Sequence, residues 1–280
     1  MSKHLAVVGS PISHSKSPAI HSAAYSVLAK DYDYTKIQVE KNHLMKFVET
    51  LDVDWLGLSV TAPLKAEALR LASWADETAT LAGGANTLLR TKEGWSAFNT
   101  DVYGIQRSLA EAKVVEVATA SVIGTGATSI SAVIALVKSF PDVKLLLAGR
   151  NKSALNELKD FAKSTGVRQV STVSTKAALS RADLVVCTLP AKALDTEIVR
   201  LNKSLFAKPR GVLFDVAYEP WPSAAANLWA DAGLSVISGI EMLLWQAIAQ
   251  VRIFVEGNPE AELFNEAAVM LAMRNSIGLI

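Results

Sequence analysis

The sequence predicts an α/β protein of two domains, an N-terminal α/β substrate domain built on a mainly parallel sheet and a doubly wound dinucleotide domain. Three observations predict it. Short apolar runs alternate with helical patterns along most of the 280 residues, which is the signature of βαβ units. A glycine-rich turn, Gly124-Thr125-Gly126, follows an apolar run and opens a helical pattern, the context that distinguishes a dinucleotide fingerprint from chance. The length suits two domains of ordinary size, and an apolar fraction of 50% supplies their cores.

The elements follow in order. Leu5–Val8 reads as a strand, and 18–29 as a helix with Ile20, Ala23, Ala24, Val27 and Leu28 on one face. Tyr34–Val39 reads as a strand, 42–51 as a helix, 55–60 as a strand and 63–72 as a helix. Residues 86–90 and 95–97 form a hairpin across Lys92-Glu93-Gly94. After a helix near 103–112 a second series begins: strand 120–123, helix 128–139, strand 144–148, helix 153–164, then short strands at 184–187 and 212–214. Two apolar helices, 240–254 and 259–273, end the pattern, and they are expected to return to the first domain.

Composition excludes several functions. With 28 basic and 27 acidic residues the net charge is +1, so no basic field points to nucleic acid or an anionic membrane. Cys187 is the only cysteine and reads as a buried strand residue without a basic neighbour, and the four histidines, His4, His14, His21 and His43, match no metal spacing. No metal is expected. The apolar run after His4 is too short for a signal peptide, and Glu241, Gln246 and Arg252 interrupt the best membrane candidate. A cytoplasmic protein acting on a small molecule is the expectation.

Four polar signatures stand where apolar strands end. In Ser13-His14-Ser15-Lys16-Ser17-Pro18, Pro18 suits the first helical position and Ser17 the N-cap. Free helix N–H groups with the Ser15 and Ser17 hydroxyls would suit a carboxylate, although an ordinary serine cap reads the same way. Ser59 and Thr61 alternate with Leu58 and Val60 and so share one face of a strand end. Lys65 follows, where desolvation in a cleft would fit a lysine for proton transfer; in isolation such a residue is more often a solvated helix lysine. Gly84-Ala85-Asn86-Thr87 and Asn99-Thr100-Asp101 supply an amide and a carboxylate, in sequences that also make good turns and caps. Gln246 lies four residues from both Met242 and Gln250, so the three share a helix face. Tyr218, after the strand end at Phe214-Asp215, could reach a ligand.

The dinucleotide loop reads as Rossmann-like. Gly124 permits the tight turn, Gly126 lets the backbone approach a pyrophosphate, Ala127 continues the loop, and Ser129 stands where a third glycine is usual. The next strand ends Gly149-Arg150-Asn151-Lys152 with no acidic residue for ribose hydroxyls. Arg150 and Lys152 suit a 2′-phosphate instead, which favours NADP over NAD; two surface cations could also follow a strand by accident.

Together these segments resemble the shikimate dehydrogenase family, from Val8 to about Gln250. Gly9 to Pro18 is similar to the family's carboxylate segment, Val60-Thr61-Ala62-Pro63-Leu64-Lys65 to its catalytic lysine motif, and the Asn86 and Asp101 segments to those supplying the substrate amide and the catalytic aspartate. The resemblance implies reversible NADPH-dependent reduction of 3-dehydroshikimate to shikimate in the chorismate and aromatic amino acid pathway. Lys65 and Asp101 would be catalytic. Ser15, Ser17, Ser59, Thr61, Asn86, Tyr218 and Gln246 would bind substrate, and Gly124, Gly126, Ala127, Arg150, Lys152 and Gly239 the cofactor.

The resemblance further implies a substrate-binding catalytic domain of residues 1–103 plus 239–280 around an NADP-binding domain of 104–238, in a monomer or homodimer. The chain departs from the family at Ser59, where many members carry asparagine, at Ser129, and at Gly149-Arg150-Asn151, where the family has Asn-Arg-Thr. An NAD-preferring quinate/shikimate dehydrogenase and a non-catalytic ligand-binding relative are the alternatives.

Overall fold

A computed structural model of the chain describes residues 2–202 and 209–279. It divides into two compact units, Met1–Asp101 with Leu244–Ile280, and Val102–Leu243.

The first unit is built on a six-stranded sheet. Its strands are β1 (Lys3–Gly9), β2 (Tyr32–Gln38), β3 (Trp55–Val60), β4 (Trp74–Ala75), β5 (Thr87–Thr91) and β6 (Gly94–Phe98), in the order β2-β1-β3-β5-β6-β4. β1 runs parallel to β2 and β3, and β4 parallel to β6, whereas β5 is antiparallel to both neighbours because a tight turn at Lys92-Glu93 makes β5 and β6 a hairpin. Ala6, Val8, Leu58, Val60 and Leu88 are shielded from solvent and form the core with Leu44, Leu64 and Ala68.

The helices of this unit are α1 (Ser17–Val27), α2 (Leu44–Val48), α3 (Lys65–Leu71), α4 (Glu77–Ala82), the part of α11 (Gly239–Glu256) from Leu244 onward, and α12 (Glu266–Asn275). Three of the boundaries that differ from the sequence pattern have a local cause. Lys16, not Ser17, occupies the N-cap of α1; Ser17 is the first helical residue, and its N–H donates to Ser15 Oγ at 3.3 Å. α2 starts only at Leu44, because Asn42 lies in the left-handed region (φ 68°). Both Asn42 N–H and Leu44 N–H donate to the Glu67 carboxylate. α12 starts at Glu266 rather than near Pro259, because Asn265 is likewise left-handed (φ 53°).

In the second unit every strand pair is parallel. The order is β12 (Val236–Ser238), β11 (Val212–Asp215), β10 (Leu184–Cys187), β7 (Thr119–Ile123), β8 (Lys144–Ala148), β9 (Val170–Thr172). Read from β9, this is the 3-2-1-4-5-6 order of the doubly wound Rossmann-like fold, with the switch point between β7 and β10. α5 (Asp101–Glu111) leads in, and α6 (Ala127–Ser139), α7 (Lys152–Ser164), α8 (Thr175–Arg181), α9 (Asp195–Asn202) and α10 (Ala224–Asp231) connect the strands. The sequence pattern did not register β9, α8, α9, α10 or β12. They are three to eight residues long, too short for apolar periodicity to show.

Candidate active site

Lys65 is placed by backbone rather than by a cap. It opens α3 behind Leu64, its carbonyl accepts from Ala85 N–H at 2.9 Å, and a methyl on Gly84 would sit 3.2 Å from its Cβ. Gly84 is held in turn by Asn99, whose Nδ2 donates to the Gly84 carbonyl at 2.8 Å. Asn99 Oδ1 accepts from Asp101 N–H at 3.0 Å, so the same asparagine orients the start of α5. The result is an ion pair between residues 36 apart in the chain: Lys65 Nζ donates to Asp101 Oδ2 at 2.5 Å, with side-chain exposures of 12% and 7%. That much exposure leaves the ammonium reachable by a small molecule.

The other Asp101 oxygen is held by an amide. Asn86 Nδ2 donates to Asp101 Oδ1 at 2.8 Å and to Thr100 Oγ1 at 2.9 Å, and faces Gln246 Oε1 at 3.3 Å. Asn86 Oδ1 accepts from Thr100 N–H and from the Thr87 hydroxyl, each at 2.9 Å. Every member of this group is buried except Lys65, which is partly exposed. Lys65, Asp101, Asn86 and Gln246, read from four separate segments, therefore meet.

Ser59 stands one step away. Its hydroxyl accepts from Tyr34 Oη at 2.7 Å and donates to Gln250 Oε1 at 2.9 Å, so its proton is committed within the unit. Thr61 follows the same strand directly; its N–H donates to the Val8 carbonyl at 2.9 Å, and Gly9 is required opposite because a methyl there would lie 2.4 Å from Thr61 Cγ2. Ser15 and Ser17 sit at the start of α1. Burial pushes the Tyr34 phenol above its ordinary range, and the Ser59 and Ser17 hydroxyls oppose this in part.

The second unit carries the remaining candidates. Gly124 turns with φ 131°, and a methyl there would lie 2.2 Å from Thr188 Oγ1, so only glycine fits. Gly126 and Ala127 are exposed at the opening of α6, and a methyl on Gly126 would meet nothing. Ser129, in place of the third glycine, turns its hydroxyl inward: it accepts from Gly126 N–H at 3.1 Å and bonds Thr188 Oγ1 at 2.7 Å, and Thr188 donates to the Ile123 carbonyl at 3.0 Å. Arg150 and Lys152 are exposed beyond β8, and Asn151 between them caps α7, accepting from Ser153 N–H and Ala154 N–H. An open glycine backbone at a helix N-terminus, with two cations past the next strand, fits a dinucleotide bearing a 2′-phosphate.

Gly239 opens α11, where a methyl would sit 2.0 Å from the Val216 carbonyl oxygen. Tyr218 is partly buried, and its phenol is pushed upward by burial first and by Glu219 second.

Sequence reasoning did not assign Gln250, Thr87, Thr100 or Asn99 to the site. The signals were present: Gln250 shares the helix face of Gln246, Thr87 and Thr100 flank Asn86 and Asp101 directly, and Asn99 lies two residues before Asp101.

Residues 7–88 match the model of the shikimate dehydrogenase substrate binding domain. The chain is 30% identical over 275 residues to the shikimate dehydrogenase (NADP(+)) of a Synechocystis species, covering 95% of this chain and 94% of that one. It is 31% identical over 267 residues to the shikimate dehydrogenase (NADP(+)) of a Janthinobacterium species, covering 94% and 96%. Among solved structures, the shikimate dehydrogenase of Mycobacterium tuberculosis superposes with a TM-score of 0.84 at 34% identity, over 98% of this chain and 99% of that one.

Proposed function

The chain belongs to the shikimate dehydrogenase family, and on that premise we propose that it catalyses the reversible NADPH-dependent reduction of 3-dehydroshikimate to shikimate, within the chorismate and aromatic amino acid pathway. It is an oxidoreductase acting on a CH–OH group. The observation that carries this reading is the Lys65–Asp101 pair, a nearly buried ammonium held at 2.5 Å by a carboxylate that a buried amide also grips.

NADPH, when bound, supplies the hydride. Lys65 gives the accompanying proton to the substrate oxygen in the reductive direction and takes it back in the oxidative one. Asp101 holds the ammonium in place, and Asn86 fixes the carboxylate. Thr61, Ser59, Asn86 and Gln246 line the ring-hydroxyl side of the substrate, and Ser15, Ser17 and Tyr218 hold its carboxylate. Binding of that kind, remote from the reacting carbon, fixes the geometry for transfer. The loop of Gly124, Gly126 and Ala127 and the helix opening at Gly239 take the dinucleotide, with Arg150 and Lys152 on the 2′-phosphate.

The first unit is the substrate-binding catalytic domain and the second the NADP-binding domain, in a cytoplasmic monomer or homodimer. No helix among the described residues is long and apolar enough to cross a membrane.

Absorbance at the reduced-nicotinamide band, with shikimate and quinate each paired with NADP and NAD, tests the assignment. The shikimate–NADP pair should give the highest kcat/KM. The highest value with quinate and NAD would overturn the substrate and cofactor assignment, and no turnover with any pair would overturn the enzyme.

A further inference from the structure

Behind the Lys65–Asp101 pair lies a series of hydrogen bonds that all point the same way. Tyr34 Oη donates to Ser59 Oγ (2.7 Å), Ser59 Oγ to Gln250 Oε1 (2.9 Å), Gln250 Nε2 to Thr87 Oγ1 (3.0 Å), Thr87 Oγ1 to Asn86 Oδ1 (2.9 Å), and Asn86 Nδ2 to Asp101 Oδ1 (2.8 Å). Each of these residues is buried, with exposures between 0% and 5%, so water does not stand in for a missing link.

The direction is fixed at Gln250. Its second Nε2 hydrogen goes to the Asn86 carbonyl oxygen at 3.0 Å. A flipped amide would set Oε1 against that carbonyl, two acceptors face to face, and would turn Nε2 toward Ser59. Thr87 carries one hydroxyl proton. Having accepted from Gln250, it donates to Asn86 Oδ1, and that leaves the Asn86 Nδ2 hydrogens for Asp101 and Thr100. Aligned bonds in a dry interior polarise one another, and the positive end of this series rests on the Asp101 carboxylate. The series orients and does not conduct, because a neutral amide does not pass a proton on.

We propose that Gln250 and Thr87 are positioning residues of the reductase, which set the amide of Asn86 and through it the Asp101 carboxylate that holds Lys65. The proposal rests on the function proposed above and adds two residues that touch neither the ion pair nor, on that reading, the substrate.

The test compares Thr87→Val, Thr87→Ser, Gln250→Met and the double variant T87V/Q250M with the wild-type chain, by NADPH oxidation with 3-dehydroshikimate. Thr87→Val and Gln250→Met should each lower kcat roughly tenfold, about one hydrogen bond's worth, while KM changes less than about threefold. Thr87→Ser, which keeps the hydroxyl, should stay within about twofold of wild type. The double variant should fall no further than the worse single one, because the links act in series. Where circular dichroism shows that Gln250→Met has not folded, Gln250→Glu is read in its place: it keeps the size and an acceptor for Ser59, and leaves at most one of the two donors.

An unchanged kcat in Thr87→Val or in the folded Gln250 variant would overturn the proposal, as would equal loss in Thr87→Ser and Thr87→Val, or a double variant equal to the product of the singles. An inactive wild-type chain would overturn the function proposed above, and this proposal with it; an active wild type with indifferent variants would overturn this proposal alone.

Discussion

The imidazole of His21 lies flat against the phenol of Tyr34, ring centroids 4.1 Å apart and planes 9° from parallel. His21 is fully buried; its Nδ1 faces Tyr25 Oη at 3.1 Å, and among the described residues its Nε2 has no hydrogen-bond partner. Burial lowers the His21 pKa from 6.5 to about 3, and the neighbouring Gln250 side chain opposes this only in part. The folded chain therefore holds a neutral imidazole where the unfolded chain would take up a proton.

The sign follows from proton binding. Between about pH 6.5 and pH 3 the unfolded state binds the proton and the folded state does not, so stability falls as pH falls through that window and is complete above it. From pH 7 to pH 4 the loss from this one group is roughly 3 kcal/mol. Urea denaturation across that range should show a steeper decline in wild type than in His21→Gln, which carries no titrating group there. Parallel declines in the two proteins would remove His21 as the source.

For the ion pair, Lys65→Ala is the direct probe. Proton transfer by a placed side chain contributes roughly 10²–10⁴-fold, so kcat should fall by that span with a smaller change in shikimate affinity. Steady-state kinetics checks it, and near-normal turnover would take Lys65 out of the proton-transfer role.

The local chemistry of the site was legible in the chain; the bonds that brace it from Tyr34, Ser59 and Gln250 were not. Alternation at Ser59 and Thr61, and the four-residue step from Gln246 to Gln250, follow from strand and helix periods and need no tertiary knowledge. The link from Ser59 to Gln250 joins residues 191 apart, and the link from Tyr34 to Ser59 joins residues 25 apart on strands with β1 between them. No sequence window contains either. The helix Glu77–Ala82 was missed although Asp76, whose Oδ1 accepts from Ala79 N–H at 2.6 Å, is an ordinary N-cap signal. Six residues give too little periodicity to support the cap. Ser129 reads in sequence as a lost glycine, and only the fold shows that its hydroxyl meets Thr188.

That contact gives a prediction for the cofactor loop. Ser129→Ala removes the acceptor of Gly126 N–H and the tie to Thr188, just past β10, so the loop loses part of its ordering before a ligand arrives. NADP affinity, measured by fluorescence titration, should weaken roughly three- to tenfold, about the worth of one hydrogen bond, while shikimate KM stays unchanged. Ser129→Gly restores the usual glycine but not the tie, and should be no tighter than Ser129→Ala. An affinity equal to wild type in both would show that the tie does not order the loop.

Arg252 and Glu266 supply the last prediction. From α11, Arg252 Nε donates to Glu266 Oε2 at 2.8 Å and Nη2 donates to Oε1, a two-pronged grip that joins α11 to the first turn of α12. Arg252 Nη1 also donates to the Pro259 carbonyl at 3.1 Å, and Leu263 N–H donates to Glu266 Oε2, so the intervening loop is fastened to the same pair. With side-chain exposures of 11% and 18%, neither charge is well hydrated when its partner is removed. Glu266→Gln should cost about 3 kcal/mol, seen as a Tm lower by roughly 6–12 °C for a chain of this size. Arg252→Met with Glu266→Leu removes both charges and should recover most of that loss, because the greater part of the cost lies in stranding the guanidinium rather than in the attraction itself. A double variant as unstable as Glu266→Gln would show that the grip on the loop, and not the buried charge, sets the stability of this corner.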